Sequence, residues 1–314
     1  MIEGLVLVVL GTAALAWLVS PVESLVWWER RGAREMEAAA QEYLAAMDEP
    51  GDASRTPRTF LVYLSGIAAF DDNLIARAES LLLRRLQEGV PELTILHEIY
   101  PYAVDNRGLI DDRRSGRFWR WFAGWQGHKR FAALFNLVVN IRNVYQVMVS
   151  VDPRYGPVFS AGIAQTIWRQ VRDAGYAPQD RIVLLGWSGG AQIGAGAAWY
   201  LGAAGAHVTF LSMGGIFHAD PGLERCERII HLVGTRDWQA RWFAPLVFPG
   251  RRRWVKRSSW NRALAEGRAT QRFIGPFKHV GRGSYLSGKR LPGGESCFAV
   301  TVAALVEELT AESR

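Results

Sequence analysis

Three kinds of side chain in this sequence could together open a carbonyl group. Gly186-Trp187-Ser188-Gly189-Gly190 fits the pattern G-x-S-x-G. In such a turn the serine sits in a strained backbone conformation, and glycines are needed because bulkier neighbours would strike the adjoining strand and helix. A serine hydroxyl becomes a useful nucleophile only beside a base, and the base must itself be oriented by an acid. The chain has six histidines, at 97, 128, 207, 218, 231 and 279. With the order serine, acid, histidine as a constraint, His279 in PFKHVG is the base, since it alone lies beyond Val233. His97, His207 and His231 fall in predicted strands and read as sheet or core positions. Two aspartates compete as the acid. Asp237 follows the strand IIHLV through Gly234-Thr235-Arg236, just past a strand's carboxyl end, where α/β sites collect. Asp220, in GGIFHAD, is the alternative acid.

The elements around these residues must hold them in place. Short apolar runs at 60–64 (FLVYL), 93–99 (LTILHEI), 181–185 (RIVLL), 207–211 (HVTFL) and 229–233 (IIHLV) predict strands. Helical spacing predicts helices over 72–86, 158–173, 189–201 and 298–309. Continuous apolar strands alternating with helices predict a mostly parallel, doubly wound α/β sheet of about six core strands, covered on both faces. RIVLL directly before the serine and AQIGAGAAWYL directly after it supply the strand and helix that such a turn joins. Residues 101–157 fit no simple strand–helix unit and read as an insertion, basic and aromatic over 117–130, then helical and apolar over 131–148.

The Gly-Trp-Ser-Gly-Gly turn, Gly-Thr-Arg-Asp after the next-but-one strand and the late His-Val-Gly resemble the α/β-hydrolase superfamily, from about residue 58 to the end. The resemblance implies a serine hydrolase with Ser188, Asp237 and His279 as its catalytic residues and Gly186 and Gly190 shaping the nucleophile elbow. It also implies an oxyanion hole from the backbone N–H groups of Gly189 and of Ile67, in the loop Ser65-Gly66-Ile67. Many relatives carry His-Gly in that loop, where this chain has Ser-Gly. The substrate so implied is an ester or thioester, cleaved through an acyl-enzyme without metal or organic cofactor. The same residues would support acyl transfer to another acceptor, and the fold could also serve as a tethered, non-catalytic scaffold.

Composition sets the outer bounds. The chain has 314 residues, 49% hydrophobic and 21% charged, enough for one large domain. Two cysteines with no Cys/His cluster argue against a structural zinc site. Residues 4–22 carry no charge, a length that spans a bilayer as a helix. Trp27, Trp28, Arg30, Arg31 and Arg34 follow, as at a membrane exit with the body on the cytoplasmic side. A cleaved signal peptide is the competing reading, but no positive charge precedes the apolar run. The expected organisation is an anchor at 1–28, a helical linker at 29–57 and a hydrolase domain at 58–314. The net charge of +7 favours anionic partners. Two segments, 117–130 and 241–257, interleave arginine with tryptophan and phenylalanine. With the anchor, they favour membrane lipids over nucleic acid.

Overall fold

The computed structural model describes residues 2–28, 55–68, 77–103, 106 and 129–312, with a few more between 34 and 41. Most of the predicted linker helix, residues 49–54 and the basic aromatic segment up to residue 128 lie outside the described residues.

Six strands form one parallel sheet: β1 (Thr59–Leu64), β2 (Thr94–Leu96), β3 (Arg181–Trp187), β4 (His207–Met213), β5 (Arg228–Val233) and β6 (Ala269–Phe273). Their order across the sheet is β2-β1-β3-β4-β5-β6, and every neighbouring pair runs parallel. The helices are α1 (Ile2–Trp27), α2 (Arg77–Gly89), α3 (Lys129–Val151), α4 (Gly156–Asp173), α5 (Gly190–Ala203), α6 (Ala244–Val247), α7 (Ser259–Ala265) and α8 (Cys297–Glu312).

The strands read as unbroken apolar runs because each face is covered. Phe60, Val62 and Leu64 of β1 join Ile182, Leu184, Val208 and Phe210 against α4 and α5. Leu61 and Tyr63 point the other way, with Val183, Leu185, Leu211 and Leu232, against α2 and α8. This alternation follows from the two-residue period of a strand. The domain's start is tied down by Asp180, which accepts the Arg58 N–H at 2.8 Å and pairs with Arg55.

The sheet departs from the expectation at its margins. β2 is only three residues long, so exposed His97 lies beyond it. His207 begins β4 at the surface, paired with Glu227, while His231 is fully buried. β6, with sequence ATQRF, is an edge strand with Thr270 and Gln271 exposed between Ala269 and Arg272, so its apolar signal is weak. The expected anchor falls on α1, half of whose side chains lie outside the described residues. Among the described residues, no helix is long and apolar enough to cross a membrane.

Candidate active site

The chain leaves β1 toward β2 on one side, then returns to build β3 to β6 on the other. The carboxyl ends of β1 and β3 therefore flank a topological switch point, where α/β sheets open a crevice for ligands. Ser188 lies directly after β3, and Ser65-Gly66-Ile67 directly follows β1.

Ser188 has a φ of 52°, in the left-handed region that residues with a side chain rarely occupy. Three hydrogen bonds hold that conformation. The Ser188 N–H donates to Met213 O at 3.3 Å, and its carbonyl accepts from Ile216 at 3.0 Å and Ala191 at 3.2 Å. Two flanking glycines permit the close approach of strand and helix. A Cβ at Gly186 would lie 2.3 Å from Ala191 Cα, and one at Gly190 would lie 2.2 Å from the Leu64 carbonyl oxygen.

The structure brings three sequence-selected side chains together. Ser188 Oγ is 2.8 Å from His279 Nε2. His279 Nδ1 is 3.0 Å from Asp237 Oδ2. Ser188 and His279 are 6% and 5% exposed and Asp237 is fully buried, so the chain of hydrogen bonds is shielded yet opens at the serine. Asp237 Oδ1 accepts the Ala240 N–H at 2.9 Å. With Asp237 hydrogen-bonded, the neutral imidazole carries its proton on Nδ1, leaving Nε2 to accept from the serine. Asp220 is placed elsewhere. It caps the 3-10 turn Pro221–Arg225 through the Gly222 N–H and accepts from Gln192 Nε2 at 3.0 Å. Burial pushes its carboxyl pKa up.

Gly189 and Ile67 are neighbours across the crevice, since a Cβ on Gly189 would lie 2.8 Å from Ile67 Cγ2. Their loop is fastened from outside. The Tyr102 hydroxyl donates to Ser65 O at 2.8 Å, and Asn143 Nδ2 donates to Ile67 O at 2.7 Å. Asn143 is itself set by the Tyr100 hydroxyl and Arg142 Nη1, which reach its Oδ1 at 3.1 and 3.0 Å. The segment read as an insertion thus supports the loop after β1. Sequence reasoning did not find these supports, because the pairings span 37 and 76 residues and carry no local signal.

Two further groups shape the site. Trp187 stacks on the His279 ring, 5.1 Å between centroids and 18° from parallel. The buried Tyr285 hydroxyl accepts the Gly234 N–H and donates to Asp237 Oδ2, both at 2.7 Å. Burial, and then the Asp237 charge, push the Tyr285 pKa up, so the hydroxyl keeps its proton. Among the described residues, no group of three or more His, Cys, Asp or Glu could hold a metal ion.

The segment 241–257, expected to interleave arginine and aromatics, divides in two. Phe248 is buried, as is Trp260 just after the segment, whereas Trp242 and Trp254 are 69% and 73% exposed, as is Trp238 just before it at 59%. The exposed rings adjoin one another and the arginines. Trp238 meets Phe243 edge-on, Arg241 lies over both Trp242 and Phe273, and Arg252 lies over Trp254. This surface flanks the acid, since Trp238 immediately follows Asp237. Compared with protein-family models, with curated proteins and with solved structures, the chain matches none.

Proposed function

We propose that the protein is a serine hydrolase of the α/β-hydrolase type, cleaving an ester or thioester through an acyl-enzyme. The observation that carries this reading is the unbroken chain Ser188–His279–Asp237, with the serine on a strained turn at the switch point. Ser188 Oγ attacks the carbonyl carbon while His279 Nε2 takes its proton. The Gly189 and Ile67 N–H groups receive the resulting oxyanion, and one such donor is worth about 3 kcal/mol of barrier. Collapse of the intermediate breaks the bond to the alcohol or thiol, which leaves with the proton from His279. Water, deprotonated by His279, then releases the acid and restores the serine.

We also propose that the chain works at a membrane, anchored by residues 4–22 with the hydrolase domain in the cytoplasm. Support comes from the uncharged run within a 26-residue helix and the arginines after it. The exposed tryptophans beside Arg241 and Arg252 suit a lipid headgroup layer, and make lipid-like acyl substrates the favoured class.

The test is fluorophosphonate labelling of the full chain. Labelling that Ser188→Ala abolishes is expected. Equal signal, or none, in both proteins would favour a non-catalytic scaffold. A reporter fused after Arg314 and found outside the cytoplasm would overturn the orientation.

A further inference from the structure

A cavity of about 390 Å³ opens at the carboxyl ends of β5 and β6, with the amino end of α8 in its wall at Cys297. Five of its lining side chains are cationic: Arg236, Lys278, Arg282, Lys289 and Arg290. None of the lining residues is acidic, and among the described residues none of the five has a carboxylate partner. The remaining wall is chiefly Pro276, Leu291 and Pro292.

All five cations are exposed. Gathered around one concavity, they sum to a positive potential there that attracts an anion. The amino end of α8 contributes positive potential of the same sign. A single carboxylate would leave most of the charge unbalanced. A phosphate monoester carries roughly −1.5 to −2 charges at neutral pH and three acceptor oxygens, and three arginine forks suit it geometrically. The volume lies within the range of roughly 300–1,000 Å³ typical of small-molecule sites, so it has room beyond one phosphate, and the prolines and leucine offer an apolar wall for the remainder.

We propose that this cavity binds a phosphorylated small-molecule group bearing at least two negative charges. The site is separate from the Ser188 crevice, and the proposal stands whether or not Ser188 is a nucleophile. It borders the triad, however, since Arg236 and Lys278 immediately precede Asp237 and His279. The group could be a free phosphorylated metabolite or the headgroup of a phosphorylated lipid, which share the same recognition chemistry.

The experiment is isothermal titration of the full chain, in neutral detergent at low and at physiological salt, with inorganic pyrophosphate as probe. Saturable binding that weakens with salt is expected. The double variant Arg282→Ala/Lys289→Ala should weaken it about tenfold or more through lost charge-assisted contacts. Arg253→Ala/Arg257→Ala removes the same charge from residues outside the cavity wall and should change it less than about twofold. Repeating the titration in phosphatidylcholine nanodiscs, with and without phosphatidylinositol bisphosphate, separates the sources. Competition by the lipid identifies a headgroup, and unchanged pyrophosphate affinity identifies a free phosphorylated ligand. Absence of pyrophosphate binding at millimolar concentration would overturn the proposal, as would equal losses in the two double variants.

Discussion

Replacing Tyr285 by phenylalanine isolates one hydroxyl whose two bonds reach the heart of the site. The ring is fully buried between Trp187 and Phe277, and phenylalanine preserves that packing. The hydroxyl accepts from Gly234 and donates to Asp237 Oδ2. Its removal leaves a buried N–H unpaired, at about 1–3 kcal/mol, and withdraws a charge-assisted bond of about 1.5–3 kcal/mol from the carboxylate. These overlap, so the folded state should lose about 2–4 kcal/mol in all. The carboxylate oxygen that faces His279 Nδ1 also loses the bond that fixes its direction. If a third to a half of that bond is lost from the transition state, the rate of Ser188 labelling by a fluorophosphonate at neutral pH should fall about twofold to tenfold. A rate equal to that of the parent protein would refute the coupling drawn from Tyr285 to His279. A melting temperature equal to that of the parent protein would refute the burial argument.

Gly190→Ala places a methyl group 2.2 Å from Leu64 O and 2.5 Å from Ser65 O, both backbone atoms of the β1 end. It should destabilise the fold by about 3 kcal/mol or more, read as a lowered thermal midpoint with loss of Ser188 labelling. Asn143→Ala frees the Ile67 carbonyl and loosens the adjoining donor. With a short-chain nitrophenyl ester, kcat should fall about tenfold while KM moves less than about twofold, because the oxyanion forms only after binding. Glu79 is 8% exposed, its Oε2 has no partner among the described residues, and burial pushes its carboxyl from 4.5 up to about 7. Such a group favours the fold below its unfolded pKa and loses that contribution as pH rises through the folded value. Stability should therefore drop by about 3 kcal/mol between pH 4.5 and 7 on its account. Glu79→Gln should remove the drop and be the more stable protein at about pH 8, as thermal denaturation across that range would show.

The α/β sheet was legible because a parallel strand covered on both faces must be apolar throughout, as FLVYL and RIVLL are. ATQRF escaped notice because an edge strand pairs on one side and keeps its polar residues in water. The turn at Ser188 was legible because tight geometry forces glycine at neighbouring positions. His279 was legible by elimination, through sequence order. Tyr285 and Asn143 were not. Both act through hydrogen bonds to residues 48, 51 and 76 positions away, and neither residue type is constrained by its own local backbone. The basic cavity was hidden likewise, since its cations come from three separate stretches.

The helix that fastens the Ser65-Gly66-Ile67 loop also has the N-terminal helix along its flank, since α1 packs against α3. One beam therefore carries both attachments. Residues 1–28 are in that case no detachable leash for an independent enzyme. A shortened chain would uncover the side of α3 on which α1 rests, and α3 is the helix that carries Asn143. Loss of turnover on truncation would then report a loosened joint, without any change in Ser188, His279 or Asp237.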